Sequence, residues 1–328
     1  MSDVPLLEVR DLTVTYPART SAVRVVDGVS FGLASGEFLG IVGESGSGKT
    51  QLLMSLLGLN GPRAKIGGSV RFRGKELVGA SERALAQVRG ARIGMIFQDP
   101  MTALNPYLTV GTQLTEGARH HRGLSRRAAR NRALELLESV QVPEPRTRFG
   151  QYPHELSGGM RQRVVIAMAL VCEPDIVLAD EPTTALDVTV QAQILALLRD
   201  LRARTRAALI LVTHDLGVIA EVADRVAVMY AGRIVEQATA ERLFAEPCHP
   251  YTQVLRSSIL ELEGALPETL PTLKGSPPDP AALGPGCAFA PRCPHAFASC
   301  HARRPPLEEV APGHSRACFH PGPLARAT

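Results

Sequence analysis

A glycine-rich segment at residues 43–50 constrains the fold of this chain more than any other feature. Its sequence, GESGSGKT, fits the pattern G-x-x-x-x-G-K-[S/T]. An apolar run of buried-strand length, residues 38–42, precedes it, and the leucines at 52–57 follow at helical spacing. A strand, a glycine turn and a helix in this order predict a loop that binds phosphate groups through its backbone N–H groups.

The same segment supplies the side chains that a bound triphosphate needs. We predict that Lys49 reaches the β- and γ-phosphates and that the Thr50 hydroxyl is a ligand of Mg²⁺. The other loop residues expected to contact the nucleotide are Gly43, Ser45, Gly46, Ser47 and Gly48. A loop that matches the pattern by chance is the alternative, and the strand before it and the helix after it argue against that alternative.

Apolar runs alternate with amphipathic helical patterns along much of the chain. The predicted strands after the loop are residues 93–97, 176–179, 209–213 and 226–230. This alternation predicts an α/β fold with a mostly parallel sheet that is covered on both faces. We place a helical subdomain at about residues 102–168, inside a domain at 1–258. Proline and cysteine are frequent in the remaining residues, 259–328, which we predict to form an irregular tail.

Composition excludes several classes of function. The net charge of +4 and an aromatic content of 4% without tryptophan do not favour a nucleic-acid partner, and we predict none. The longest uninterrupted apolar stretch, residues 164–172, is far shorter than the roughly 20 residues of a membrane span. The first residues carry no recognisable secretory signal, so we expect the chain to stay in the cytoplasm.

Asp180 and Glu181 follow the apolar run at residues 176–179. Ligands of open α/β sheets bind just outside the carboxyl ends of the strands. An acid at that position can hold Mg²⁺ through water, and the next carboxylate can polarise an attacking water. The alternative is that the two carboxylates merely form a solvated strand end. The phosphate loop upstream argues against this alternative.

Ser157, Gly158 and Gly159 open a predicted helix. The serine is a suitable N-cap, and the two glycines leave backbone donors uncovered, as in an anion-binding helix start. We predict that this helix start lies within the helical subdomain and serves a nucleotide on another subunit. An ordinary capped helix with a flexible entrance is the alternative.

Together these motifs resemble the ATP-binding cassette (ABC) family over residues 6–245. The segment Ala185-Leu186-Asp187 and the later His214 complete the set in the expected order and spacing. The resemblance implies a RecA-like P-loop fold, with an antiparallel β-subdomain and an inserted helical subdomain. It also implies ATP and Mg²⁺ as cofactors and ATP hydrolysis as the activity.

Residues that are uninformative alone acquire roles from this resemblance. Tyr16 would stack on adenine, Gln98 would contact Mg²⁺ and the attacking water, and His214 would contact the γ-phosphate. Glu181 would be the catalytic carboxylate, and Asp187 would lie at the subunit contact. The Mg²⁺ ligands would be Thr50, Gln98 and Asp180. Because cassettes of this family pair head to tail, Ser157, Gly158 and Gly159 would act on the partner's ATP.

A narrower resemblance is to the dipeptide/oligopeptide importer branch. It is carried by residues 97–106, 152–155, 187–195 and 249–252. Met160 is similar to one of two paralogous ATPases of that branch, which implies a heterodimer with a sister ATPase. The other implied partners are two transmembrane permease subunits and, indirectly, an extracytoplasmic peptide-binding protein. The implied location is peripheral, on the cytoplasmic face of the inner membrane. No catalytic position is damaged, so we expect the chain's own phosphate-loop side to hydrolyse ATP.

Four cysteines of the tail, Cys287, Cys293, Cys300 and Cys318, predict a metal or iron–sulfur site in a cytoplasmic protein. The paired Cys-x₂-Cys knuckles typical of zinc are absent. The importer-branch resemblance implies a [4Fe–4S] cluster; zinc and unligated thiols remain alternatives. The nearby histidines that could replace a cysteine ligand are His295, His301, His314 and His320.

The leading functional hypothesis is therefore an ATPase that energises peptide import through a separate membrane permease. An importer ATPase for nickel or another small solute is the first alternative. A soluble ABC protein that works on ribosomes or DNA is the second alternative. It would be expected to carry tandem cassettes or long coiled-coil insertions, and the sequence shows neither. An iron–sulfur electron carrier with an incidental nucleotide site is the third alternative, and an exporter is disfavoured because no membrane segment is fused to the chain.

Overall fold

The structure, a computed structural model, describes residues 5–18, 22–184, 186–257 and 275–320. The strands are β1 (Leu7–Tyr16), β2 (Val23–Leu33), β3 (Phe38–Val42), β4 (Lys65–Phe72), β5 (Lys75–Glu76), β6 (Ile93–Ile96), β7 (Ile176–Asp180), β8 (Ala208–Thr213), β9 (Arg225–Tyr230), β10 (Arg233–Thr239), β11 (Glu308–Ala311) and β12 (His314–Arg316). The α-helices are α1 (Lys49–Leu56), α2 (Glu82–Ala86), α3 (Pro100–Ala103), α4 (Val110–Arg122), α5 (Arg126–Ser139), α6 (Pro145–Phe149), α7 (Gly158–Leu170), α8 (Val188–Thr205), α9 (Leu216–Val222), α10 (Ala240–Ala245), α11 (Pro250–Ser257) and α12 (Ala298–Ala302). Short 3₁₀ helices are Pro153–Glu155, Pro280–Ala282 and Ala290–Arg292.

The chain forms two compact units. The first, here called the loop unit, comprises Met1–Gly32, Phe38–Val78 and Thr213–Thr328. The second, the helical unit, comprises Leu33–Glu37 and Gly79–Val212. The loop unit contains the predicted phosphate loop and the tail, whereas the helical unit contains the inserted helices.

The domain boundaries drawn from the sequence stay predictions. The subdomain placed at about residues 102–168 lies inside the helical unit, which is larger. The boundary after residue 258 falls in a part of the chain, residues 258–274, that lies outside the described residues.

The loop unit is built on two sheets. One has the strand order β2-β1-β4-β5, in which β4 is antiparallel to both β1 and β5, and the other contains the strands β11-β12-β10-β9-β3 in that order. Within the second sheet β3 and β9 are parallel, and all five residues of β3 are buried. The uniform apolar character of β3 reflects burial on both faces, as the sequence predicted. Helix α1 follows the glycine turn, which confirms the predicted strand–loop–helix order.

The helical unit contains the parallel strands β8, β7 and β6, which are neighbours in that order. Helices α4, α5 and α7 pack on one another through their buried apolar faces. The residues that fill this packing include Val110, Leu114, Ala118, Ala133, Leu137, Val164 and Ala167. A mixed α/β fold with an inserted helical region agrees with the expectation from the sequence. Within the described residues, no helix combines the length and the apolar character needed to cross a membrane.

The tail is more ordered at one point than the sequence suggested. Most of its described part consists of turns and short helices, as expected for a proline-rich segment. Strand β12, however, pairs antiparallel with β10, where Glu236 lies opposite Arg316, and β11 adds a further short strand. The tail therefore extends a sheet of the loop unit, a pairing between residues far apart in sequence that local patterns do not predict.

A buried carboxylate connects this pairing to the segment before α11. The side chain of Glu236 is inaccessible to solvent and accepts hydrogen bonds from the backbone N–H groups of Cys248 (2.6 Å) and His249 (2.9 Å). His314 Nε2 donates to the same carboxylate over 2.7 Å. The ring of His249 is buried, and desolvation lowers its pKa to about 4. A carboxylate can be buried because its oxygens are satisfied by several donors.

Replacing Glu236→Ala should lower the free energy of unfolding by about 3 kcal/mol, because two backbone donors and one imidazole N–H would lose their acceptor inside the protein. Chemical denaturation of the full chain measures this change. Glu246→Ala removes an exposed carboxylate from the same segment and should change the free energy by less than about 0.5 kcal/mol. Equal effects of the two substitutions would contradict the role given to Glu236.

Candidate functional site

The phosphate loop holds its own lysine. The side chain of Lys49 is only 4% exposed, and its Nζ donates to the carbonyl oxygens of Gly43 (2.7 Å) and Glu44 (3.0 Å). The N–H of Ser47 donates to the same Glu44 carbonyl over 3.1 Å. The ammonium group therefore rests inside the curve of the loop, where carbonyl oxygens can be exchanged for the oxygens of an incoming phosphate.

Two positions of the loop require glycine. A Cβ atom at Gly43 would collide with the carbonyl oxygen of Met229. Gly48 adopts a φ of +98°, and a Cβ there would collide with the carbonyl oxygen of Val25. The left-handed conformation and the close approach of neighbouring backbone both exclude larger residues. These contacts explain physically why the pattern specifies glycine at its first and sixth positions.

The loop also has unused hydrogen-bonding capacity. The Oγ atom of Ser47 is buried and has no hydrogen-bond partner among the residues that the structure describes. Around Gly46 the space is open, since nothing lies within 4 Å of its Cβ position except its own neighbours. A buried lysine, an unpartnered hydroxyl and an open side fit an anion with several oxygens, and a triphosphate is such an anion.

Other predicted nucleotide residues lie beside the loop. Ser45 is exposed in the turn, and Thr50 is half-buried in the first turn of α1. Tyr16, the last residue of β1, donates its hydroxyl to Gln51 Oε1 over 2.6 Å. Tyr16 is thus hydrogen-bonded to Gln51, the residue after Thr50. Its stacking on adenine stays a prediction.

Tyr251 is a contact of the loop that the sequence analysis did not assign. It is fully buried, and its hydroxyl oxygen accepts the backbone N–H of Glu44 over 2.8 Å. Burial raises the pKa of this hydroxyl above its usual value, so it stays neutral and able to accept. In the sequence, residues 249–252 carry only the resemblance to the importer branch, because nothing in sequence spacing connects position 251 with position 44.

The helical unit brings two predicted residues together. Gln98 Nε2 donates to Glu181 Oε2 over 3.3 Å, and the hydroxyl of Thr184 donates to the same oxygen over 2.9 Å. Asp180 is the buried last residue of β7. Gln98 follows β6, which runs parallel to β7, so both side chains emerge at one edge of these strands. The amide and the carboxylates are suited to positioning water and Mg²⁺.

Glu181 has a strained backbone. Its φ of 44° lies in the left-handed region, which a residue with a Cβ enters at a cost of about 1–2 kcal/mol. Its N–H donates to the carbonyl of Val212 over 2.9 Å, which helps to hold this conformation. Strain of this kind concentrates at functional sites, where the surrounding structure fixes a side chain in one direction.

The serine–glycine motif forms an exposed helix start. Ser157 is the N-cap of α7, and its Oγ accepts the N–H of Met160 over 3.3 Å. Ser157 and Gly158 are exposed, and nothing crowds the Cβ position of Gly158. The Cβ position of Gly159 is 3.1 Å from Val190 Cγ1, which ties this helix start to α8. Backbone donors at the start of a 13-residue helix are therefore open to a ligand from outside the chain.

Two further predicted residues lie at helix starts. Asp187 is the exposed N-cap of α8 and accepts the N–H of Val190 over 2.9 Å, and Val188 beside it is 84% exposed. His214 is exposed between β8 and the N-cap of α9. Ala185, part of the quoted motif, lies outside the described residues. An exposed apolar side chain next to an exposed acid is compatible with the predicted subunit contact.

The four cysteines of the tail surround one small cavity in the loop unit. The cavity is lined by Cys287, Cys293, Cys300 and Cys318 and by the rings of His295 and His320. All four cysteines carry free thiols. A hydrogen bond of 2.7 Å from Cys287 N to the Cys300 carbonyl brings two of these segments together. Of the histidines considered as substitutes, His301 and His314 are not among the residues that line this cavity.

The side chains around this cavity are of the chemical types that bind metals and iron–sulfur clusters. Burial raises the pKa of Cys287 and Cys318 and brings that of Cys293 to about 11, so these thiols are protonated at neutral pH when nothing is bound. The Nδ1 atom of His320 is buried without a hydrogen-bond partner among the described residues. Four soft sulfur donors suit iron–sulfur clusters and zinc alike, and the imidazole adds a further possible ligand.

Fold and site together define an ATP-binding cassette: a phosphate loop after a buried strand, carboxylates at parallel strand ends, and an exposed serine-capped helix. The family model described as ABC transporter matches residues 26–184, and the model described as Oligopeptide/dipeptide transporter, C-terminal region matches residues 235–300. The oligopeptide transport ATP-binding protein OppD of Salmonella typhimurium is 51% identical over 316 residues, which cover 96% of this chain and 94% of that protein. The chain belongs to the ABC transporter ATPase family, in its oligopeptide/dipeptide branch.

Other similar proteins agree with this assignment. The dipeptide transport ATP-binding protein DppD of Bacillus subtilis is 49% identical over 318 residues, or 96% of this chain and 94% of that protein. Among solved structures, the ATP-binding cassette MJ0796, in a dimeric post-hydrolysis state bound to ADP and Pi, matches with a TM-score of 0.65 and 30% identity. That match covers 71% of this chain and 98% of the other.

Substituting Lys49→Ala should weaken nucleotide binding by about 100-fold or more, because it removes the only cation whose nitrogen is held within the described loop residues 43–50. Titration of the purified full chain with ADP measures the dissociation constant. Lys75→Ala removes an exposed lysine of the same unit and should leave binding unchanged. A Lys49→Ala protein that binds ADP within threefold of the unsubstituted chain would refute the phosphate-loop assignment.

Proposed function

We propose that this chain hydrolyses ATP to drive the uptake of peptides through a separate membrane permease. The chain is an ABC ATPase of the oligopeptide/dipeptide branch, so ATP hydrolysis is its activity. The observation that carries the peptide cargo is the match of residues 235–300 to a C-terminal region characteristic of oligopeptide and dipeptide transporters.

In the proposed chemistry the loop unit binds the nucleotide. Backbone N–H groups of residues 43–50 donate to the phosphates, and Lys49 leaves its carbonyl partners for β- and γ-phosphate oxygens. Thr50 supplies a hydroxyl ligand for Mg²⁺, which neutralises phosphate charge when bound. Tyr16 stacks on adenine. The unpartnered Ser47 hydroxyl and the open space at Gly46 support this assignment.

In the helical unit we assign the hydrolytic step to Glu181. Its carboxylate polarises the attacking water, and Gln98 orients that water and contributes to holding Mg²⁺. Asp180 would hold Mg²⁺, and His214, a residue of the loop unit, would contact the γ-phosphate. The hydrogen bond between Gln98 and Glu181 and the strained φ of Glu181 support a pair of side chains fixed in one direction.

We further propose that the chain works in a head-to-tail pair of cassettes. Ser157, Gly158 and Gly159 then donate to ATP bound by the partner cassette, and Asp187 lies at the contact. The exposure of Ser157, Gly158 and Asp187 supports this role, as does the exposed Val188. The similar MJ0796 cassette is described as dimeric. A sister ATPase of the same branch is the proposed partner, which makes the pair a heterodimer.

The proposed permease contact lies in the segment after Gln98. Met101 is 48% exposed and Tyr107 is 86% exposed in this segment, and apolar side chains left uncovered favour a protein partner. Two transmembrane permease subunits would place the chain at the cytoplasmic face of the inner membrane. A peptide-binding protein outside the membrane would take part indirectly, by delivering cargo to the permease.

For the tail we propose a [4Fe–4S] cluster held by Cys287, Cys293, Cys300 and Cys318, with zinc as the alternative. The four thiols around one cavity support this proposal. Bound there, the group would join the segments that carry the four cysteines, which is a structural role. We assign it no redox role.

Anaerobically purified chain should contain about four iron and four sulfide per polypeptide and show broad visible absorbance, as four thiolate ligands of one cluster imply. Cys293→Ala should lose most of this iron, whereas Cys248→Ala should keep it, because Cys248 does not line the cavity. Elemental analysis and absorption spectra provide the measurement. Stoichiometric zinc without iron would overturn the cluster assignment in favour of the alternative.

The substitution Glu181→Gln tests the proposed function as a whole. In the assembled transporter it should reduce ATP hydrolysis by at least about 100-fold and stop peptide uptake, while ATP binding is retained, because only the polarising carboxylate is lost. Rates of phosphate release and of labelled peptide uptake into vesicles are measured together. Glu173→Gln alters an exposed carboxylate of the same unit and serves as the control. Peptide uptake that persists without ATP hydrolysis would contradict the proposal.

A further inference from the structure

Arg292, a residue of the tail, forms an ion pair with the phosphate loop. Its Nη1 and Nη2 atoms donate to Glu44 Oε2 (2.6 Å) and Oε1 (3.0 Å). Two parallel bonds of this kind fix the direction of both side chains, unlike a single contact between point charges. Arg292 also donates to the hydroxyl of Tyr230 over 3.2 Å. The loop is therefore anchored by a residue 248 positions later in the sequence.

The ion pair is largely shielded from water. The side chain of Arg292 is 7% exposed and that of Glu44 is 23% exposed. Removing one partner from such a pair leaves the other charge poorly solvated, so the remaining side chain has to move. Exposed ion pairs do not constrain their neighbours in this way, because water replaces the missing partner.

Glu44 connects this ion pair to Lys49. The carbonyl oxygen of Glu44 accepts hydrogen bonds from Lys49 Nζ (3.0 Å) and from Ser47 N (3.1 Å), while its N–H donates to Tyr251 (2.8 Å). Every polar group of Glu44 is therefore engaged. A displacement of this residue would move the resting position of the Lys49 ammonium and the curve of the loop with it.

The tail supplies a second contact at the same place. The ring of Phe289, which is buried, packs against Tyr251 and Tyr230, with ring centroids 5.5 Å and 5.3 Å apart. Tyr251 in turn accepts the Glu44 N–H. Arg292 and Phe289 belong to the same short turn, so the tail supports Glu44 both through its side chain and through the acceptor of its backbone N–H.

We propose that Arg292 is a positioning residue of the nucleotide site, which holds Glu44 so that the phosphate loop is preorganised for ATP. The inference rests on the proposed assignment of residues 43–50 as the ATP phosphate loop. The tail is then part of the ATP-binding apparatus of this chain. Preorganisation lowers the cost of ordering the loop when nucleotide binds, so its loss appears as weaker affinity.

A double-mutant cycle on the full-length chain tests this role with ADP and Mg²⁺ as the probe. Arg292→Gln and Glu44→Gln should each raise the ADP dissociation constant about tenfold, and the double variant should bind no more weakly than either single variant, because both remove the same interaction. Arg292→Lys keeps the charge without the two-pronged geometry and should give a smaller rise. Glu44 lies far from the tail cysteines in sequence. The Glu44→Gln variant therefore tests the ion pair even if the Arg292 variants fold poorly.

Arg304→Gln is the matched control. Arg304 also connects the tail to the rest of the loop unit, through a 2.7 Å ion pair with Asp27, but its side chain is 35% exposed and Asp27 keeps a second partner in Arg24. Neither residue is hydrogen-bonded to Glu44. The ADP affinity of Arg304→Gln should stay within twofold of the unsubstituted chain. Thermal unfolding midpoints are measured for every variant, since a merely structural role would lower the midpoint and leave affinity unchanged.

These measurements distinguish a failure of the positioning role of Arg292 from a failure of the phosphate-loop assignment. Affinities of the Arg292 and Glu44 variants within twofold of the unsubstituted chain, with Lys49→Ala unable to bind, would overturn the positioning role alone. Additive losses in the double variant, or an equal loss in Arg304→Gln, would also overturn it. If Lys49→Ala binds ADP normally, the phosphate-loop assignment itself is wrong.

Discussion

A positive charge held inside its own loop is the constraint on which the rest of this structure depends. The ammonium of Lys49 is almost completely shielded from water, and the carbonyl oxygens of Gly43 and Glu44 solvate it instead. A buried ammonium without such partners would be strongly disfavoured. The position of the ammonium group therefore depends on the path of the loop backbone. Contacts that hold the loop in place also hold the charge that binds the phosphates.

The neighbours of the loop come from widely separated parts of the sequence. Backbone carbonyls of Met229 and Val25 leave room only for glycine at positions 43 and 48 of the loop. Tyr251 and Arg292 hold the side that carries Glu44. Strands β3 and β9 place the loop at the end of a parallel pair, and the residues before α11 and in the tail complete its surroundings. The C-terminal region thereby contributes to a site whose sequence motif lies near the N-terminus.

Local patterns predicted the parts of this site that depend on neighbouring residues. The phosphate loop, the Asp180–Glu181 pair and the Ser157 cap were all visible, because turn chemistry, strand ends and capping are set within a few positions. Contacts between distant residues could not be predicted from local patterns. Examples are the ion pair of Glu44 with Arg292 and the hydrogen bond of Glu236 with His314. The sequence contains many arginines and histidines, and nothing in it indicates which of them pairs with a given carboxylate. The left-handed backbone of Glu181 was also unpredicted, since a residue with a Cβ adopts it only when the surrounding structure compensates the cost.

In the proposed cassette pair, a triphosphate is bound from two sides, by the Lys49 loop of one cassette and by the serine-capped helix of the other. A structure of the ATP-bound complex with its partner ATPase, prepared with Glu181→Gln, measures this most directly. The account predicts that Ser157 Oγ lies about 3 Å from a γ-phosphate oxygen of ATP held by the partner cassette. A complex in which each ATP is enclosed by one chain, with Ser157 facing solvent, would contradict it.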